Sequence, residues 1–86
     1  MEKWEEVLEA VSQFYPDSLK ADGFNKAIIG YAAAGPLEGR LIYSIEEMIK
    51  ILRFGGMTEE EAVEYLEFNT INAWVGEHTP IFMRER

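Results

Sequence analysis

Two helix-start signatures in the second half of the chain, Ser44-Ile45-Glu46-Glu47 and Thr58-Glu59-Glu60-Glu61, constrain its fold more than any other feature. In each, a hydroxyl can accept from the amide three residues on, and a glutamate can reach back to the amide of the hydroxyl residue. Between them, Gly55-Gly56 supplies the left-handed backbone that ends helices. The spacing predicts a short helix from Ser44 with an apolar face of Ile45, Met48, Ile49 and Leu52. Tyr43 and Met48 would staple its start, and Glu46 with Lys50 would form a favourable pair one turn apart. A further helix is predicted from Thr58 to about Ala73, burying Ala62, Val63, Leu66, Thr70 and Ala73. Its first-turn acids sit at the positive end of the helix dipole, where negative charge is stabilising.

The other elements follow from periodicity and turn chemistry. From Glu2 to Tyr15, the residues Trp4, Val7, Leu8, Val11 and Phe14 or Tyr15 recur at helical spacing, and Pro16 ends that helix near Phe14. After the Asp22-Gly23 turn, Lys26 to Ala33 carries small and β-favouring residues on both alternating faces and reads as a central strand. Gly30, Gly35 and Pro36 count against a helix there. Gly35-Pro36-Leu37-Glu38-Gly39 turns into a second strand at Arg40 to Tyr43, and Ile81 to Arg84, opened by Pro80, reads as a third. The order α-β-β-α-α-β predicts an α+β fold in a single domain, residues 1–86. Its three-stranded, mainly antiparallel sheet should run in the order 2-1-3 with helices packed on it.

Composition narrows the function classes. The chain has 86 residues and no cysteine, so disulfides, thiolate metal sites and cysteine nucleophiles are excluded. A net charge of −8, with the basic residues scattered, opposes direct nucleic-acid binding. No apolar run approaches the roughly 18 residues of a membrane span, and Met1 to Glu9 has four acids against one lysine, the reverse of a signal peptide. These features predict a cytoplasmic protein, in the host cytoplasm if viral, with no membrane partner.

Asp22-Gly23-Phe24, Ala27-Ile28-Ile29-Gly30-Tyr31, Gly56-Met57-Thr58-x-Glu60-Glu61-Ala62-x-Glu64-Tyr65-x-Glu67-Phe68-Asn69 and Val75-Gly76-Glu77-x-Thr79-Pro80 stand in this order. Together they resemble a family of small uncharacterised proteins from bacteriophage and environmental sequences. The resemblance covers roughly residues 21–82 and implies a viral or accessory origin, with no activity attached. The family's pattern places acidic residues after Asp-Gly-Phe, where this chain has Asn25 and Lys26.

No catalytic constellation emerges from the residues. Gly30 to Gly35 has phosphate-loop spacing, but Pro36-Leu37 follows where Lys and Ser or Thr are needed. His78 is the only histidine, and none of Ser12, Ser18 and Ser44 lies in a nucleophile elbow. Glu60, Glu64 and Glu67 form an acidic helical stripe without the spacing of a calcium loop. No cofactor or metal is expected.

Asn69 falls on the buried side of the predicted third helix, where its amide must be hydrogen-bonded, to the Asp22 turn or to residues 75–79. Tyr65, Phe68 and Trp74 lie off the apolar stripe, and Glu61, Glu64 and Glu67 border them. The first functional expectation is therefore a small acidic accessory protein that binds another protein through Glu64, Tyr65, Glu67, Phe68 and Trp74, with a homodimer as one form. The second is a small-molecule or divalent-metal site built from Asp22, Asn69 and Glu77.

Overall fold

The computed structural model describes residues 1–71 and 76–85. Its elements are α1 (Lys3–Phe14), a 3-10 turn (Asn25–Ala27), β1 (Ile28–Tyr31), β2 (Leu41–Ser44), α2 (Ile45–Phe54), α3 (Glu59–Leu66), a π-helical turn (Glu67–Ile71) and β3 (Ile81–Met83). The α+β class and the element order follow the sequence reading.

Local chemistry explains the helix boundaries. In α1 the Glu5 carboxylate accepts from the Glu2 amide at 3.0 Å, and Pro16 follows the C-cap residue Tyr15. Val11 is buried, Trp4, Val7 and Leu8 are half-buried, and Tyr15 rather than Phe14 turns inward, since Phe14 is exposed. At α3 the reciprocal capping box is present: Thr58 Oγ1 accepts from the Glu61 amide and Glu61 accepts from the Thr58 amide. The Thr58 amide, then the Thr58 hydroxyl, hold the Glu61 carboxyl below the usual carboxylate range. At α2 only half of the box forms. Ser44 Oγ accepts from the Glu47 amide at 3.2 Å, but the Glu47 carboxylate turns to Lys50 at 2.9 Å. The expected Glu46–Lys50 pair is therefore replaced by Glu47–Lys50, which leaves Glu46 for the C-terminal segment.

The sheet order is β1-β2-β3, so the central strand is the second, not the first as expected. β1 pairs antiparallel with β2, with an irregularity between Ile28 and Gly30. β3 pairs parallel with β2, from Ile42 with Ile81 to Ser44 with Met83, and the sheet is mixed rather than mainly antiparallel. The long return through α2 and α3 permits the parallel pairing, which a tight turn would forbid. β1 is apolar on both faces because α1 packs beside it, not because strands flank it on both sides. It is also shorter than predicted: Asn25-Lys26-Ala27 wind into the 3-10 turn before it.

The core gathers Val11, Phe24, Ala27, Ile28, Leu41, Tyr43, Ile45, Met48, Ile49, Ala62 and Leu66. Tyr43 is fully buried, and its hydroxyl accepts from the Ala21 amide at 2.9 Å. Burial pushes its phenol pKa up. That bond ties the central strand to the loop entering residue 22.

Glu46 clamps the chain beyond β3. Its carboxylate accepts from Arg84 Nη1 at 2.9 Å and from the Glu85 amide at 2.6 Å, and Ser44 Oγ donates to the Glu85 carboxylate. The Glu85 amide, then Arg84, hold the Glu46 carboxyl below its ordinary value of 4.5. A depressed folded pKa contributes stability that is present above about 4.5 and is lost as pH falls through the lower, folded value. Glu46→Gln should therefore flatten the acid limb of a melting-temperature profile recorded between about pH 3 and pH 7. The limb should not vanish, because Glu61 is depressed in the same sense. An unchanged acid limb would show that the clamp carries no pH-dependent stability.

Candidate functional site

The third helix ends at Leu66, short of the expected Ala73, and the chain continues through Ile71 as a π-turn. Leu66 is fully buried and Ala62 lies one turn before it, so this stripe anchors α3 to the core. The wider π-turn advances each residue by less than the roughly 100° of an α-helix. Residues beyond Leu66 consequently leave the buried stripe.

Asn69 shows the consequence. An unbroken α-helix would align it with Leu66, yet it is exposed. Its Nδ2 donates at 3.1 Å to the Tyr65 carbonyl, the acceptor that its own backbone amide would take in α-geometry. The expected buried amide, bonded to the Asp22 turn or to residues 75–79, is thus corrected. π-Turns of this kind occur often where a helix has been adapted to function.

An open cleft of about 290 Å³ lies beside the turn. Three stretches of chain line it: Lys20, Ala21, Asp22 and Phe24 before β1, Tyr65, Asn69 and Thr70 from α3 and the π-turn, and Thr79, Pro80 and Phe82 at β3. Phe24 is buried, and Phe82 stacks at a tilt on the core ring of Tyr43, with centroids 5.9 Å apart. Thr79 is buried and its hydroxyl donates to the Gly76 carbonyl at 2.6 Å. The base is therefore aromatic and fixed to the core, while Lys20 and Asp22 place opposite charges at the rim.

The structure brings together some of the residues singled out from the sequence. Asp22 and Asn69 both line the cleft, whereas Glu77, in the exposed turn before Thr79, is not among its described lining residues. Among the described residues no group of three potential ligands could hold a metal ion. Glu64, Tyr65, Glu67 and Phe68 are all exposed on the α3 and π-turn segment, with Phe68 at 83% and Tyr65 at 41%. Trp74 lies outside the described residues. Lys20, Ala21, Phe24 and Phe82 were missed as site residues, because only the fold brings their distant segments to Tyr65 and Asn69.

Among the described residues no helix is long and apolar enough to cross a membrane. Set against known proteins, the chain matches no family model, no curated protein and no solved structure.

Proposed function

We propose that this chain is a small, acidic, phage-related accessory protein that acts by binding another protein through the face formed by α3 and the π-turn. The observation that carries the reading is Phe68, left 83% exposed beside Tyr65 and bordered by Glu64 and Glu67. Burying such a ring on a partner is worth about 1.5–3 kcal/mol, and aromatic residues are enriched where interfaces form.

Surface area points the same way. A folded monomer of this mass exposes about 5,200 Å² on the usual scaling, whereas this chain exposes 5858 Å². Three of the five phenylalanines, Phe14, Phe54 and Phe68, stand at the surface. Apolar rings left at the surface become favourable contacts when a partner covers them.

A photo-crosslinking amino acid in place of Phe68 tests the reading. In lysate of the native host it should give one discrete protein adduct, which excess unlabelled wild-type chain suppresses and excess Phe68→Ser does not. The same group in place of Gln13, on the exposed side of α1, should give none. Equal labelling from both positions, or no adduct from position 68, would refute it.

A further inference from the structure

We infer that the segment docked on this face is basic, and that an arginine side chain of the partner protein enters the cleft beside Asp22. The inference rests on the binding face proposed above and names the chemistry of what it holds. Its motive is a carboxylate set among rings. Asp22, Phe24, Tyr65 and Phe82 line one cleft, and Tyr65 is 41% exposed there while Phe24 is buried. A cation held near the face of an aromatic ring is attracted by the ring's quadrupole, the more so where water is displaced. A carboxylate on the same lining adds a charge-assisted hydrogen bond.

Charge selects the cation. None of the ion pairs among the described residues involves Asp22, so the Lys20 ammonium that shares its cleft does not neutralise it. Glu64 is likewise outside those pairs, and it lies about one turn of helix before Phe68. A basic segment laid from the cleft across Phe68 therefore meets an acid on either side of the ring, whereas an acidic segment is repelled at both. The charge of the whole chain, −8, draws a basic segment in from a distance.

Arginine suits the cleft better than lysine. Its guanidinium is planar and weakly hydrated, stacks on aromatic faces and presents a fork that matches a carboxylate, while an ammonium is a compact, strongly hydrated point charge. Asn69 engages its Nδ2 with the Tyr65 carbonyl, which leaves its Oδ1 as an acceptor for guanidinium donors not spent on Asp22. Two of the rings are held in advance. Phe24 is buried in the core and Phe82 packs on Tyr43, so docking does not have to order them. Lys20 opposes the cation from the same lining, and this opposition gives the test a sign.

The test is a titration of the ¹⁵N-labelled full chain, followed by amide chemical shifts, with the capped peptide Ala-Arg-Leu-Arg-Ala and its counterparts carrying citrulline or glutamate for both arginines. Citrulline keeps the shape of arginine and removes its charge. The arginine peptide should move the amides of Asp22, Tyr65 and Asn69 most and bind roughly tenfold more tightly than the citrulline peptide, and the glutamate peptide should not bind. Asp22→Asn and Glu64→Gln should each weaken the arginine peptide by about two- to fivefold, and Lys20→Gln should tighten it by a similar factor. All three residues are exposed, and a partly unfolded variant cannot bind more tightly, so failure to fold does not mimic the last result. A flat arginine titration, a citrulline peptide that binds as well, shifts centred on the acidic start of α1, or a Lys20→Gln variant that does not tighten binding would each overturn the inference. If position 68 still gives its discrete adduct in any of these cases, the basic occupant is wrong and the proposed face stands; if it gives none, the face itself is refuted.

Discussion

Replacing Leu66 by alanine should destabilise the domain by about 3 kcal/mol, near the middle of the range for deleting a fully buried leucine. Leu66 has no exposed surface and is the last residue of α3 before the chain widens. A chain of this length has roughly 4–13 kcal/mol of stability in all, so the loss takes a large share of it. At roughly 4–8 °C per kcal/mol for a domain of this size, the melting temperature should fall by about 12–24 °C. The control is Glu64→Ala, on the exposed side of the same helix, which should stay within about 0.5 kcal/mol of wild type. Denaturant titration of both variants separates the cases, because a change in midpoint with constant slope reports stability alone. If Leu66→Ala costs no more than Glu64→Ala, then α3 is not docked through this stripe, and the placement of Tyr65 and Phe68 loses its support.

What the residues announced in advance, and what they did not, divides by the range of the interaction. The Thr58 box, the Gly55-Gly56 stop and the inward stripe through Leu66 are local, set by groups within about a turn of one another, and all three are present. Strand order is not local. Ile28, Ile29 and Tyr31 announce that both faces of β1 are covered, but the cover on one side is α1, a possibility that periodicity cannot separate from flanking strands. The direction of β3 is likewise not written in Ile81-Phe82-Met83, since the long return from Ser44 permits either sense.

The candidate site shows the same division. Tyr65 and Phe68 were legible because they fall off the apolar stripe in any helical geometry. Asn69 was placed on the wrong side because nothing in Glu67-Phe68-Asn69-Thr70-Ile71 announces a π-turn. The cleft wall at Lys20 and Phe24 depends on the Tyr43 hydroxyl holding the Ala21 amide across 22 residues of chain. Such a bond leaves no pattern in either segment.

Gly39→Ala should be the most damaging Gly→Ala substitution among the seven glycines. Two independent costs meet at this residue. Its φ of 84° lies in the left-handed region, where any residue with a Cβ loses about 1–2 kcal/mol. The new methyl would also sit 2.4 Å from Tyr15 Cδ1, 2.6 Å from Cγ and 3.1 Å from Cβ. Cγ and Cβ lie close to the backbone, so no rotation at the far end of the side chain relieves the clash, and either the ring or the loop must move. The ring is held on several sides. Its hydroxyl donates to Glu38 at 2.7 Å, and it packs at a tilt on Tyr31 with centroids 5.9 Å apart. The loop is held as well, since the Gly39 amide donates to the Ala32 carbonyl at 2.8 Å and its carbonyl accepts from Ser18 Oγ. Together these contacts join the end of α1 to the β1–β2 connection, and a shift on either side pulls on both. The expected loss is about 3 kcal/mol or more, the strain of the backbone added to that of an overpacked contact. Gly35→Ala separates the two terms: it has nearly the same φ, 85°, but open space where the methyl would go, and should cost only the backbone part. Truncating the ring with Tyr15→Ala in the Gly39→Ala background should recover part of the difference, because the double variant keeps the backbone strain but loses the collision. Equal destabilisation by Gly35→Ala and Gly39→Ala would show that the Tyr15 contact yields freely and that α1 is not pinned to the hairpin at this point.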